Sequence, residues 1–333
     1  MQTRLFLIKT GLCRLRAGLQ EDKGFMEQSA ETTISSLLEH CTLCPRQCGA
    51  DRLHGQTGYC GQTTQLFAAR ASLHLWEEPC LSESGGSGTV FFSGCPLRCV
   101  YCQNHSIALG QTGRELTILR LAEIFLELQQ KGANNINLVT PTHFVPQIAS
   151  ALRMAKASGL RLPIVYNTSG YEKTATLQLL DGLVDIYLPD CKYVSADLSR
   201  RYSNAPDYFH VVRPALHEMY RQVGDPVFDP ATGLMQKGMI VRHLILPDCI
   251  QDSKKVVEYL YRTFGDRIYI SLMNQYTPVT SHTDYPELNR TLTQEEYDEV
   301  VDYAIALGVE NGFIQEGETC LESFIPSFDC QGI

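Results

Sequence analysis

The stretch Val90-Phe-Phe-Ser-Gly-Cys95-Pro-Leu-Arg-Cys99-Val-Tyr-Cys102-Gln-Asn104 decides how this chain is interpreted. Its short apolar start predicts a buried strand, and three cysteines follow at C-x3-C-x2-C spacing. Three thiolates can hold three irons of a [4Fe-4S] cluster and leave the fourth iron without a protein ligand. An open iron can bind a small molecule, as a catalytic zinc does at its open position. A zinc knuckle or three chance buried cysteines are the alternatives.

After this stretch the sequence alternates between strand-like and helix-like segments. The predicted strands are 90–93, 136–140, 163–167, 184–188, 239–246 and 269–273. The helix predicted over 117–131 has apolar residues at helical spacing, a threonine at its N-cap and Gly132 after its end. Such alternation requires parallel strands joined by right-handed crossovers. We therefore predict an α/β fold, a partial (β/α)6 TIM-like barrel, with a doubly wound open sheet as the alternative.

Polar residues follow the predicted strands, at the edge where both architectures bind ligands. Asp190 and Lys192 are two residues apart and point to one face, whereas Cys191 points to the other. Arg242 is favoured over its neighbour His243 as the inward-facing residue on its strand. The candidate ligand-binding residues are Tyr101, Asn104, Thr140, Thr142, Asn167, Ser169, Asp190, Lys192 and Arg242.

Two further groups near these positions have competing interpretations. His143 is either a hydrogen-bond donor or proton shuttle, or a loop histidine without a role. Glu77 and Glu78, with His74, can approach the site from below. A solvated acidic pair is the favoured interpretation for these two glutamates.

Five strings carry a resemblance to a known family. They are Gly86-Ser-Gly-Thr-Val-Phe-Phe-Ser-Gly-Cys95, Val139-Thr-Pro-Thr-His-Phe144, Val165-Tyr-Asn-Thr-Ser-Gly170, Tyr187-Leu-Pro-Asp-Cys-Lys192 and Ile240-Val-Arg-His-Leu-Ile-Leu-Pro247. Over roughly residues 40 to 315, the chain resembles the radical S-adenosylmethionine (SAM) superfamily, and within it the pyruvate formate-lyase activating enzyme-like branch. Many members carry Gly-Gly-Glu after the second strand, where this chain has Thr140-Pro-Thr-His143.

The resemblance implies an oxidoreductase or lyase-like enzyme of the radical SAM type. Cys95, Cys99 and Cys102 would hold a [4Fe-4S] cluster, and SAM would chelate its open iron. One electron would cleave SAM to methionine and a 5'-deoxyadenosyl radical, which abstracts a hydrogen atom. The implied partners are a low-potential electron donor, such as flavodoxin or ferredoxin, and a protein substrate.

The sequence assigns no catalytic residue and leaves the substrate open. Two alternatives come from other functional classes. One is an electron-transfer or redox-sensing Fe-S protein that does not cleave SAM, and the other is a zinc-binding scaffold. A barrel pocket lined by polar strand ends favours the enzyme, because an electron carrier needs no such pocket.

A second group of cysteines precedes the barrel. Cys41, Cys44, Cys48 and Cys60 lie within twenty residues, with glycines among them, and can wrap around one metal site. Zinc held by four thiolates, an auxiliary Fe-S cluster and no metal all remain open. Clustering of the thirteen cysteines indicates metal chemistry in a reducing cytoplasm rather than a disulfide framework.

Length, composition and charge set the remaining expectations. We divide the 333 residues into a disordered extension (1–30), a cysteine-rich metal-binding segment (31–84), a radical SAM core (85–315) and a C-terminal tail (316–333). The 37 acidic residues outnumber the 28 basic ones, which argues against non-specific binding of nucleic acid. No apolar stretch has the length of a membrane span.

Overall fold

The computed structural model describes residues 37–83, 85–278, 283–315 and 326–333, and these form an α/β fold around one ten-stranded sheet. The predicted extension and most of the predicted tail lie outside the described residues. The strands are β1 (Leu66–His74), β2 (Ser87–Phe92), β3 (Arg114–Leu116), β4 (Ile136–Val139), β5 (Ile164–Thr168), β6 (Ile186–Pro189), β7 (Val227–Phe228), β8 (Met235–Leu244), β9 (Tyr269–Met273) and β10 (Gly312–Ile314).

Helices connect most of these strands. They are α1 (Pro79–Ser82), α2 (His105–Ala108), α3 (Ile118–Gln130), α4 (Val145–Ala157), α5 (Thr174–Leu177), α6 (Ala196–Ser203), α7 (Tyr208–Val223), α8 (Ile250–Phe264) and α9 (Gln294–Leu307). Short 3₁₀ turns occupy Thr142–Phe144, Gln178–Leu180, Gly265–Arg267 and Pro286–Asn289. In the described ranges, we find no helix with the length and apolar character needed to cross a membrane.

The strand order is β10-β9-β8-β6-β5-β4-β2-β1-β3, and β7 pairs with β8. From β2 through to β10, every neighbouring pair along this path is parallel. β1 is antiparallel to both β2 and β3 at the other end of the path. The parallel strands follow one another in chain order, without the reversal of a doubly wound sheet, and the sheet is not closed. The predicted partial barrel is thus confirmed. The sequence analysis missed β1, because its pairing direction depends on a chain reversal that its own residues do not encode.

Side-chain hydrogen bonds cap the starts of α3, α6 and α9. The Thr117 hydroxyl accepts a hydrogen bond from the Arg120 amide at the start of α3. Thr293 and Glu296 form a capping box at the start of α9. Leu121, Phe125 and other apolar residues at helical spacing in α3 are fully buried. Local sequence therefore explains why these helices cover the sheet and leave its carboxyl-end loops for the site.

Candidate functional site

A cavity of about 230 Å³ lies at the carboxyl ends of the parallel strands. Among the residues predicted for the site, those lining it are Cys95, Cys99, Cys102, Tyr101, Asn104, Thr140, Asn167, Ser169, Asp190, Lys192 and Arg242. They come from loops after four different strands and from the interior of β5 and β8. The fold thus brings together residues that are up to about 150 positions apart in the chain, because parallel strands end at the same edge.

Three cysteines form one wall of this cavity. The Ser203 hydroxyl donates to Cys99 Sγ at 3.0 Å, and the Leu97 amide donates to Cys95 Sγ at 3.4 Å. Burial raises the pKa of Cys95 to about 11 and that of Cys102 to about 12, against a weaker opposing effect of the Lys192 ammonium. The thiols therefore need a strong positive charge, such as metal ions, to become thiolates.

The donor set fits an iron-sulfur cluster. Three soft sulfur donors share one wall, and Lys192 supplies a cation that offsets thiolate charge. In the described ranges, no three His, Cys, Asp or Glu side chains surround a single point as ligands of one metal ion do. A cluster does not require that convergence, because each cysteine binds a different iron.

The cavity contains a network of buried charges on neighbouring strands. Lys192 Nζ lies 2.6 Å from Asp190 Oδ2, and Arg242 Nε lies 3.1 Å from Asp190 Oδ1. Arg242 Nη2 also donates to Asn167 Oδ1 at 2.6 Å. Burial opposes ionisation of Asp190, yet Lys192 and Arg242 together hold its pKa below the usual value. The network stays ionised and presents fixed charges to a bound ligand.

The neighbours of these charged residues face away from the cavity. Cys191 is fully buried, and burial raises its pKa well above the usual value. His243 is also buried, and its Nδ1 lies 2.7 Å from the Cys191 carbonyl oxygen. This alternation agrees with the two-residue period expected at the ends of β6 and β8.

The structure corrects the sequence interpretation of Glu77 and Glu78, which are not a solvated pair. The Glu77 side chain is only 8% exposed. Its Oε1 accepts from Asn137 Nδ2 at 2.9 Å, and its Oε2 lies 3.6 Å from Arg242 Nη1. Burial raises the pKa of both glutamates, against the opposing attraction of Arg242. His74, at the end of β1, and Glu77, after it, line the cavity, as the less favoured sequence interpretation allowed.

Tyr101 sits in a row of hydroxyl groups beside the cysteines. Its hydroxyl oxygen lies 2.6 Å from that of Tyr193, which is 2.9 Å from the Ser203 hydroxyl. Ser203 in turn donates to Cys99 Sγ. The row links a residue of the cavity wall to one of the three sulfurs. Asn104 precedes α2, at the other end of the same loop.

Thr140 has an unusual backbone conformation at the end of β4. Its φ is 58°, in the left-handed region that a β-branched residue rarely adopts. Its amide donates to the Asn167 carbonyl at 2.9 Å. Such strain costs on the order of 1–3 kcal/mol and clusters at functional sites. Thr140 occupies the start of the position where the resembled family carries Gly-Gly-Glu.

Thr142 does not line the cavity. Its hydroxyl donates to Glu172 Oε1 at 2.6 Å, and the Thr168 and Tyr166 hydroxyls bond to the same oxygen. Burial raises the pKa of Glu172 to about 7, with these hydroxyls opposing the rise. Gly170 permits the turn above them, because a Cβ there would collide with the Asp190 carbonyl oxygen. The structure thus places Thr142 in a hydrogen-bonded group that packs beside β5, outside the cavity.

His143 lies behind the cysteine loop rather than in the cavity. It is buried, and its Nε2 lies 2.7 Å from the Ser93 carbonyl oxygen. Burial and the nearby Arg52 cation lower the pKa of His143 to about 3. The imidazole is therefore neutral near pH 7, which favours a positioning role for the loop over proton transfer.

The depressed pKa of His143 predicts a pH dependence of stability. Because the unfolded chain binds a proton near pH 6.5 and the folded chain only near pH 3, stability falls as pH drops through this window. When the pH is lowered from 7 to 5, the unfolding free energy of both chains should fall. We expect the fall to be about 2 kcal/mol smaller in His143→Gln than in the parent chain. Denaturant unfolding at both pH values measures this. His210→Gln, at an exposed position, is the control, and an equal pH response in all three chains would contradict the prediction.

Comparisons with known proteins add to this geometry. A model of the radical SAM superfamily matches residues 89–224. A protein of uncharacterised function from Methanocaldococcus jannaschii is 27% identical over 283 residues, which cover 81% of this chain and 75% of that protein.

Two solved structures match this chain at lower identity. SuiB from Streptococcus suis, in its complex with S-adenosylmethionine, is 12% identical with a TM-score of 0.46, over 68% of this chain and 49% of SuiB. The chain thus spans about half the length of SuiB. A domain of pyruvate-formate lyase-activating enzyme from Bacteroides vulgatus is 11% identical with a TM-score of 0.39, over 55% of this chain and all of that domain.

Proposed function

We propose, from the membership of residues 89–224 in the radical SAM superfamily, that this protein binds SAM in the cavity and cleaves it reductively. The observation that carries the proposal is the sharing of one cavity by Cys95, Cys99, Cys102 and the buried Asp190–Lys192 pair. When bound, a [4Fe-4S] cluster and SAM supply the one-electron chemistry that yields a 5'-deoxyadenosyl radical.

Different residues of the cavity would bind the cluster and the methionine part of SAM. The three cysteines would hold the cluster, and Lys192, which lines the same cavity, would offset their negative charge. Asp190 and Lys192 together offer an acceptor and a donor for the ammonium and carboxylate of the methionine part of SAM. Thr140 and Ser169 on the neighbouring loops, and Asn167 in β5, supply polar groups in place of the Gly-Gly-Glu that many members use.

For the substrate, we propose a segment of a partner protein, as in the activating enzymes that the sequence resembles. The cavity wall includes Trp76, which is 63% exposed, and the adjacent Leu75 is 58% exposed. Exposed apolar side chains beside a cavity favour contact with another macromolecule. A low-potential donor such as flavodoxin or ferredoxin would supply the electron, and the cysteine clusters favour a reducing cytoplasm.

The test is anaerobic incubation of the reconstituted protein with SAM and dithionite, followed by measurement of 5'-deoxyadenosine. Wild type should produce it. Lys192→Ala should lower the yield about 10–100-fold at equal iron content, because Asp190 loses its closest cation and the cluster loses an offsetting charge. Matched Cys191→Ala, on the opposite face of the same strand, should keep most of the yield.

Two outcomes would contradict this proposal. A wild-type protein with a complete cluster but no 5'-deoxyadenosine would favour an electron-transfer or redox-sensing protein. If Lys192→Ala kept a normal yield of 5'-deoxyadenosine while Cys191→Ala lost it, Lys192 would not be the residue that acts on the ligand.

A further inference from the structure

Arg52 is a fully buried cation in the segment before β1, with an exposed fraction of 0%. Its Nε and Nη2 donate to the Thr63 carbonyl at 3.0 and 2.7 Å, and its Nη1 donates to the His143 carbonyl at 2.9 Å. No carboxylate of the described residues forms an ion pair with it. Because burying an unpaired charge costs several kcal/mol, this position calls for an anion nearby.

Cysteine sulfurs are the groups near Arg52 that can supply this anion. Arg52 Nη1 lies 3.6 Å from Cys41 Sγ. Cys41, Cys44 and Cys60 are buried, whereas Cys48 is exposed. If the thiols were neutral, the charge of Arg52 would have no anion beside it. Metal-bound thiolates would supply that negative charge.

Gly58 keeps space open between two of these cysteines. A Cβ at this position would lie 3.2 Å from Cys48 Sγ and 3.5 Å from Cys60 Sγ. The backbone of Gly58 is not in the left-handed region, so its conformation does not require glycine. Glycine is instead explained by the two nearby sulfurs, which leave little room for a side chain at position 58.

We infer that Cys41, Cys44, Cys48 and Cys60 form a second, thiolate-ligated metal centre whose negative charge is offset by Arg52. Four soft sulfur donors select zinc or an iron-sulfur cluster. In the described part of the chain, no three potential ligands converge on a point. The centre therefore holds either a cluster, with one iron for each sulfur, or an ion whose binding brings the four sulfurs closer together.

This centre lies directly behind the loop that carries the three cavity cysteines. Arg46, between Cys44 and Cys48, donates to the carbonyls of Pro96 at 2.8 Å and Ser203 at 2.9 Å. A Cβ on Gly94 would lie 2.6 Å from the Cys60 carbonyl oxygen, so the two segments touch through backbone. Metal binding would hold the segment in one conformation against this loop. The inference concerns metal content and does not depend on SAM cleavage.

The experiment counts metal in a chain from which the cavity cysteines have been removed. The Cys95→Ala, Cys99→Ala, Cys102→Ala variant should retain about one zinc, or about four irons with acid-labile sulfide, per chain. Adding Cys44→Ser and Cys48→Ser should abolish that metal. Zinc and iron, measured by elemental analysis, distinguish the two kinds of centre. Equal metal content in the two variants would overturn the inference.

A second pair of variants keeps every cysteine and tests the charge of Arg52. Arg52→Met should weaken metal retention against a chelator about 10–100-fold, as other supporting residues of metal sites do. Arg52→Lys preserves the positive charge and should restore most of the retention, which a purely packing role for Arg52 would not predict. Unchanged retention in Arg52→Met would rule out Arg52 as the counter-cation.

Discussion

Replacement of Cys95, Cys99 and Cys102 by alanine is expected to lower 5'-deoxyadenosine formation at least about a thousandfold, to the background of the uncatalysed reaction. The three sulfurs are the soft donors on the cavity wall, and without them the proposed cluster would have no protein ligands there. The measurement is the product yield after anaerobic reconstitution with iron and sulfide, together with the iron bound per chain.

The control for this variant is Cys80→Ala. Cys80 is buried in α1 and packs with apolar residues outside the cavity. Its truncation should cost on the order of 1 kcal/mol of unfolding free energy and leave product formation in place. A triple variant that still bound a complete SAM-reactive cluster would remove the basis of the proposed function.

The second large effect is expected from Arg242→Met. This change removes the cation that lies 3.1 Å from Asp190 and 3.6 Å from Glu77, whose side chains are only 15% and 8% exposed. Breaking a buried ion pair from one side typically costs about 3–5 kcal/mol. Here Glu77 would lose its ion pair, and Asp190 would keep only Lys192. We expect a loss of that size in unfolding free energy at pH 8, and a loss of SAM binding with it.

The pH dependence separates this electrostatic loss from a packing defect. At present Arg242 and Lys192 hold the pKa of Asp190 below its usual value. Without Arg242, the pKa of Asp190 and of Glu77 should rise, so protonation relieves the penalty as pH falls. The destabilisation of Arg242→Met should therefore be smaller at pH 5.5 than at pH 8.

Two further variants complete this test. Arg200→Met removes one partner of a pair with Asp197 in which the side chains are 59% and 89% exposed. That change should alter stability by less than about 0.5 kcal/mol. Arg242→Lys keeps the charge but loses the planar guanidinium, and should recover part of the stability. A pH-independent loss in Arg242→Met would contradict the charge argument.

Local patterns were enough to predict much of this protein. The apolar runs and the spacing of polar residues predicted the parallel strands, because a buried strand and a capped helix depend on residues near in sequence. The C-x3-C-x2-C motif was informative for the same reason, since all three sulfurs belong to one short loop. The alternation of Asp190, Cys191 and Lys192 followed from strand geometry alone.

Long-range contacts decided what those patterns could not. The polarity of Glu77 predicted exposure, but Asn137 and Arg242 surround it in the fold. Thr142 follows a strand end as Thr140 does, yet its hydroxyl turns to Glu172 on another loop.

Arg52 gave no signal in the sequence, since its place beside Cys41 and the His143 carbonyl depends on how the cysteine-rich segment folds against the barrel. The sequence alone determined six of the parallel strands, the helix over 117–131 and the cysteine motif, because each depends on residues near one another in the chain. Only the tertiary structure decided which charged groups share the low-dielectric interior, because that depends on approach between residues distant in the chain.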